Sequence, residues 1–88
     1  MKKSVRVHYG NLAKHGVRPH EVEECFRRDS FRYLRKARRN FYLMVAQTRA
    51  GRYLEILFEE RKRDLFVFHA IDARSRHVKL LKRRGKRR

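Results

Sequence analysis

The 88 residues are enough for one domain at the short end of the usual range, and 26 Lys and Arg against nine Asp and Glu leave a formal charge of +17. The apolar share of 41% argues against a disordered chain, and no apolar run approaches the roughly 18 residues of a membrane span. With no signal-like apolar run after Met1 and a single cysteine, Cys25, which cannot form an internal disulfide, the expected setting is the cytoplasm, without membrane contact.

In chain order, residues 2–9 alternate weakly, as a short edge strand would. Residues 11–16 read as one helical turn closed by Gly16 in a left-handed conformation. Pro19 suits the first position of a helix over 19–26, in which Val22, Cys25 and Phe26 form the apolar face and three glutamates favour the N-terminal end of the dipole. From residue 27 the pattern becomes extended through Phe31 and Tyr33, with a basic turn expected over 35–39. Residues 41–47 form a continuous apolar run, the mark of a central strand covered on both faces. A glycine-containing turn over 48–51 leads to a strand over 53–58, a charged turn over 59–64 and a last strand over 65–71. Asp72, with Ser75 as competitor, would cap a final helix whose apolar edge is Val78 and Leu81. The expected fold is α+β: N-terminal helices, a three- to four-stranded antiparallel sheet and a C-terminal helix with a basic tail. Residues 1–84 would form one compact domain and residues 85–88 a disordered tail.

A large charge of one sign opposes folding by self-repulsion and suits a polyanionic partner, RNA first. The plainer alternative is a solubilising surface, yet excess of one sign is not what stabilising ion-pair networks need. The five histidines show no metal-ligand spacing, no glycine-rich loop precedes a helix as nucleotide sites require, and no serine sits in a nucleophile elbow. No metal or other cofactor is therefore expected. What remains is cations interleaved with aromatics: seven Lys or Arg in residues 27–39 beside Phe31 and Tyr33, and nine in residues 74–88. Such surfaces hold phosphates and stack unpaired bases, although Phe31 and Tyr33 taken alone read more simply as sheet packing. They can also cleave RNA without a metal, since the 2′-OH is an internal nucleophile needing a base, an acid and positive charge at phosphorus. Candidates for that work are His15, His69, His77, Glu55, Glu59, Arg52, Arg74 and Arg76.

The order of certain residues sharpens this choice. Asn11-Leu12-Ala13-Lys14-His15-Gly16-Val17 followed by Glu21-Val22-Glu23-Glu24-Cys25-Phe26, then Gln47-Thr48-Arg49-Ala50-Gly51-Arg52-Tyr53-Leu54, then Ile71-Asp72-Ala73-Arg74, resembles the pattern of BrnT-type toxins over most of residues 9–76. The resemblance implies a RelE-like ribonuclease fold, a toxin of a toxin–antitoxin pair acting as a metal-independent endoribonuclease on cellular RNA, and a cognate antitoxin of ribbon-helix-helix type. It leaves a homodimer and a toxin–antitoxin hetero-oligomer both open. Its matched positions nominate Lys14, His15, Arg52 and Arg74, with His15 in acid/base work and the two arginines on phosphate. The chain departs from the pattern after Ala73-Arg74, where Ser75-Arg76-His77-Val78-Lys79-Leu80-Leu81-Lys82-Arg83 lacks the family's glutamate and tyrosine. His77 is the residue that could substitute as proton carrier. The expected catalytic set is thus His15, Arg52, Arg74 and His77, with Lys14, Arg35, Lys36, Arg38, Arg39, Arg76, Lys79, Lys82 and Arg83 on RNA. The alternative is a non-catalytic RNA- or DNA-binding module on the same scaffold; a third reading is an interaction protein for an acidic partner.

Overall fold

The computed structural model describes residues 4–27 and 32–86. Five strands and three helices alternate as β1 (Ser4–Val7), α1 (Tyr9–Lys14), α2 (Pro19–Cys25), β2 (Arg32–Arg38), β3 (Phe41–Gln47), β4 (Tyr53–Glu60), β5 (Asp64–Asp72) and α3 (Ser75–Lys86). The strands form one sheet in the order β1-β5-β4-β3-β2, so the chain is α+β around a five-stranded sheet. β2 to β5 make an antiparallel meander, and β1 adds to the outer edge of β5 in parallel, Val5 opposite Leu65 and Val7 opposite Val67. The sheet is therefore mixed rather than antiparallel, with five strands where three or four were expected, and a strand precedes the N-terminal helices. The two helices between β1 and the meander carry the chain away from β1's end, and only afterwards does β5 return along its flank. Local alternation could mark β1 as a strand but not its partner.

Period two divides the sheet into two faces. Met44, Ala46, Leu54, Ile56, Phe58, Val67 and Ala70 point to one face, where they meet Leu12 and Val17 of the α1 region and Val22 and Cys25 of α2. Full burial of side chains such as Leu12, Leu54 and Ile56 contributes about 1.5–3 kcal/mol each. Phe58 is held between the edge of Phe26, at 5.2 Å, and the stacked ring of Tyr42, at 5.5 Å. Cys25 belongs to this core; burial, then the nearby Glu24 and Glu21 charges, push its thiol up to about 12, so it stays protonated and inert. The helix read over 19–26 is present, with Pro19 at its first position and the Arg18 N–H donating to Oε1 of Glu21 at 3.0 Å.

The other face belongs to α3, which lies against β3 and β2. The basic stretch 35–39 is strand as far as Arg38, and the chain reverses at Asn40, which takes φ 61°. Charge density misleads here because β2 is an edge strand. Lysine and arginine side chains on an edge meet water and discourage further strand pairing, while a tight reversal requires only a residue that tolerates positive φ. Asp72 does not cap α3: the helix starts at Ser75, its first amide bonds go to the Arg74 carbonyl, and Asp72 ends β5. The α3 backbone continues through Gly85 to Lys86, across the boundary at which a tail was expected, while residues 87 and 88 lie outside the described part. Phe31 and the start of the extended stretch also lie outside it.

Candidate functional site

Leu54 pairs with Asp72 and Glu55 with Ile71. Arg52, two residues before Leu54, and Arg74, two residues after Asp72, therefore come to the same end of the sheet, the end at which α3 begins. Two ionic clusters form there, and they differ in how many carboxylates each cation receives.

The first cluster ties elements together. Arg52 donates from Nε to Oδ1 of Asp72 at 2.7 Å and from Nη1 to Oε1 of Glu21 at 3.0 Å, and to the Gly16 carbonyl at 3.0 Å. A single guanidinium thus joins the α1–α2 turn, the first turn of α2 and the end of β5. Gly16 supplies its carbonyl from φ 66°, a conformation that glycine adopts without steric cost. Asp72 is held below the usual carboxylate range by the Arg52 hydrogen bond, which outweighs its partial burial. Burial would raise Glu21, but the Arg18 N–H and the Arg52 guanidinium draw it down. Asn11 belongs to the same framework. Its Nδ2 donates at 2.8 Å to the carbonyl of Phe68, in the stretch of β5 where the register with β4 shifts. Much of the motif running from Asn11 to Gly16 and on to Arg52 is accounted for by these structural bonds.

The second cluster opens onto a cleft. Glu55 sits in the middle of β4 on the α3 face and is 3% exposed. Its Oε2 accepts the Arg74 backbone N–H at 2.8 Å and faces Nδ1 of His77 at 2.5 Å, with Nε of Arg74 at 3.6 Å. The first turn of α3 has no acidic residue of its own, so Glu55 supplies from the sheet the negative charge a helix N-terminus favours. Burial pushes the Glu55 carboxyl up, yet the Arg74 N–H, the His77 hydrogen bond and the charges of both side chains outweigh it and leave the group lowered. An ionised carboxylate only accepts, so the His77 nitrogen facing it, Nδ1, is the one that carries a proton, and in the neutral imidazole this tautomer leaves the lone pair on Nε2.

His77 is 8% exposed, and its accessible part lines an open cleft of about 530 Å³ with Tyr33, Arg35, Leu43, Arg74, Arg76 and Leu80. β2 contributes one wall and α3 the other. Arg74, with a side chain 60% exposed, spends its backbone on Glu55 and leaves much of its guanidinium to solvent.

Of the expected set, His77, Arg74, Arg35 and Arg76 therefore meet in one place, while Arg52 is taken up in the tie between elements. His15 is exposed at the end of α1, next to Lys14, and its ring stands edge-on to His69 at 5.2 Å. Lys36, Arg38 and Arg39 are exposed along β2 and its turn, and Lys79 and Lys82 along α3; the side chain of Arg83 is outside the described part. Tyr33 joins them in the cleft, and Glu55, one of eight candidates in the sequence, is buried behind it against His77 and Arg74. The signal for Glu55 was a lone carboxylate in the apolar strand Tyr53-Leu54-Glu55-Ile56-Leu57-Phe58. Among the described residues, no three His, Cys, Asp or Glu side chains gather closely enough to hold a metal ion, and no helix is long and apolar enough to cross a membrane. No family model, no curated protein and no solved structure matches this chain.

Proposed function

We propose that the chain is a metal-independent endoribonuclease of the cytoplasm, working at the Glu55–His77 cleft as the toxin of a toxin–antitoxin pair. The observation that carries the catalytic part is the imidazole oriented by a buried carboxylate at the mouth of an arginine-lined cleft. The toxin part, with a RelE-like fold and an antitoxin partner, rests on the BrnT-like residue order and on the charge of +17, which suits a negatively charged partner as well as RNA.

In this reading the phosphate of a single-stranded RNA enters between β2 and α3 and is met by Arg35, Arg74 and Arg76. Nε2 of His77 takes the proton of the 2′-OH, and Glu55 steadies the imidazolium that forms. The 2′-oxygen attacks phosphorus while the bond to the 5′-oxygen breaks, and the arginines offset the charge gathering on the phosphoryl oxygens. Tyr33, on the opposite wall, protonates the leaving 5′-oxygen. The products are a 2′,3′-cyclic phosphate and a 5′-hydroxyl, with the tyrosine reprotonated and the imidazolium deprotonated by solvent. Proton transfer of this kind contributes about 10²–10⁴-fold.

The test is incubation of the purified chain with end-labelled RNA in EDTA, followed by analysis of the fragment ends. Cyclic phosphate ends that vanish with His77→Asn are the expected result. Asparagine can keep a donor toward Glu55 while removing the base. Intact RNA that is nevertheless shifted on a gel would overturn catalysis and favour the second reading, a non-catalytic RNA-binding module. That reading is favoured by the small accessible fraction of His77 and by the absence of any acidic residue in α3.

A further inference from the structure

α3 covers the β2–β3 half of its face. Over the β4–β5 half, Leu57, Phe68 and His69 are each only half-buried, as is Phe41 at the start of β3. The register explains how two aromatic groups from adjacent positions of β5 come to share this surface. Leu57 pairs with His69 but Phe58 pairs with Val67, so Phe68 is the extra residue of a bulge. Val67 and Ala70, three apart, are both fully buried in the opposite core. The two residues between them must therefore both turn to the α3 face, which is what a bulge does to consecutive side chains. Asn11 fixes the bulge by binding the Phe68 carbonyl. The Phe68 ring then reaches across β4 to Phe41 on β3, with centroids 5.7 Å apart and planes at 74°.

We propose that Phe41 and Phe68 form a stacking platform for an unpaired base of single-stranded RNA, adjoining the cleft. The proposal rests on the RNA reading above and adds to it the reason for preferring unpaired strands. Phe41 is two residues along β3 from Leu43, which lines the cleft, a separation of about 7 Å at 3.3–3.4 Å per residue. That suits the base next to a phosphate held by Arg35. The charge around the rings also fits a polyanion. Arg38 pairs in register with Phe41, Arg35 lies in the adjoining row with Leu43, Leu57 and His69, and Arg61 stacks over Phe66 at 4.5 Å. The carboxylate nearest the platform, Glu59 between Phe41 and Phe66 in the register, is paired with Arg61 at 3.3 Å. An exposed ring face, braced edge-on by the second ring and with arginines at its rim, binds any base through its π face, and a base kept in a duplex cannot reach it.

Because the chain contains no tryptophan, Phe68→Trp introduces a single indole reporter. The probes are a 2′-O-methyl oligoadenylate, which cannot be cleaved, an abasic oligomer of equal length and charge, and duplex RNA. Quenching of the indole by oligoadenylate, but not by the abasic oligomer or the duplex, is expected. In the otherwise unaltered protein, Phe41→Leu and Phe68→Leu, which retain apolar bulk, should each weaken oligoadenylate binding roughly tenfold and leave abasic binding unchanged. Equal binding of oligoadenylate and abasic oligomer by the native chain and both leucine variants would overturn the platform while leaving RNA binding intact. Binding of none of the three probes would overturn the RNA reading, and the platform with it.

Discussion

The Arg52 cluster and the Glu55 cluster lie at the same end of the sheet and use the same chemistry, yet they stand in opposite balance. Arg52 faces two carboxylates and a carbonyl, so its charge is used inside the fold. Glu55 is a single carboxylate facing Arg74 and His77, with Arg35 and Arg76 in the cleft beyond, so positive charge is left over. A cation with surplus carboxylates holds elements together, and a carboxylate with surplus cations leaves positive charge facing solvent. In a chain of net charge +17, the positions of the few acidic residues separate the two cases more sharply than the positions of the many basic ones.

Under the proposed mechanism the two clusters separate most sharply at His77. His77→Asn should lower the rate of RNA cleavage by about 10²–10⁴ with RNA affinity nearly unchanged, measured by single-turnover kinetics alongside a binding titration. Loss of affinity without loss of rate would place the chemistry elsewhere. Arg52→Met should act on stability instead. It removes the guanidinium from Glu21 and Asp72, and because the Arg52 side chain is 29% exposed, solvent screening holds the loss to about 1–3 kcal/mol. For a domain of this size that is a fall in melting temperature of roughly 4–8 °C per kcal/mol, read by thermal denaturation.

The next effect is pH dependence. Glu55, Glu21 and Asp72 are all lowered in the folded protein, so the stability they contribute is full above the ordinary carboxylate value of about 4 and is lost as the pH falls through their folded values. Urea titrations should show stability falling on acidification below about pH 4, and Glu55→Gln should make that fall shallower. The smallest effects belong to the cleft's exposed cations. Arg35→Ala and Arg76→Ala should each reduce the slope of log K against log salt by about 0.7, without moving the melting temperature.

Much of the scaffold was legible because its elements are locally coherent. Pro19 and the Val22, Cys25 and Phe26 spacing announced α2, and the apolar run 41–47 announced the central strand β3. Gly16 takes the positive φ expected of it, and Gly51 takes one too in the glycine-containing turn between β3 and β4. The parallel pairing of β1 with β5 was not legible, since it joins segments separated by sixty residues through tertiary packing. The cations of 35–38 hid a strand because an edge strand does not require the composition of a buried one. For the candidate site, His77, Arg74, Arg35 and Arg76 were named from charge and chemistry, but their meeting depends on α3 crossing back over β3 and β2. Glu55 and His77 are 22 residues apart, and no spacing rule joins a mid-strand glutamate to a histidine in the first turn of a later helix. Arg52 was named beside Arg74 from the same chemistry and the same motif, and neither carries a sign that Glu21 and Asp72 hold it.

In the proposed division of labour, Arg52 ties the fold while Arg74 serves the cleft. The most direct measurement is the rate of 2′,3′-cyclic phosphate formation in EDTA by Arg52→Met and Arg74→Met, at a temperature where both are folded. Near-native cleavage by Arg52→Met, with a loss of tenfold or more in Arg74→Met, is the expected result. Equal losses in both, or a loss confined to Arg52→Met, would contradict it.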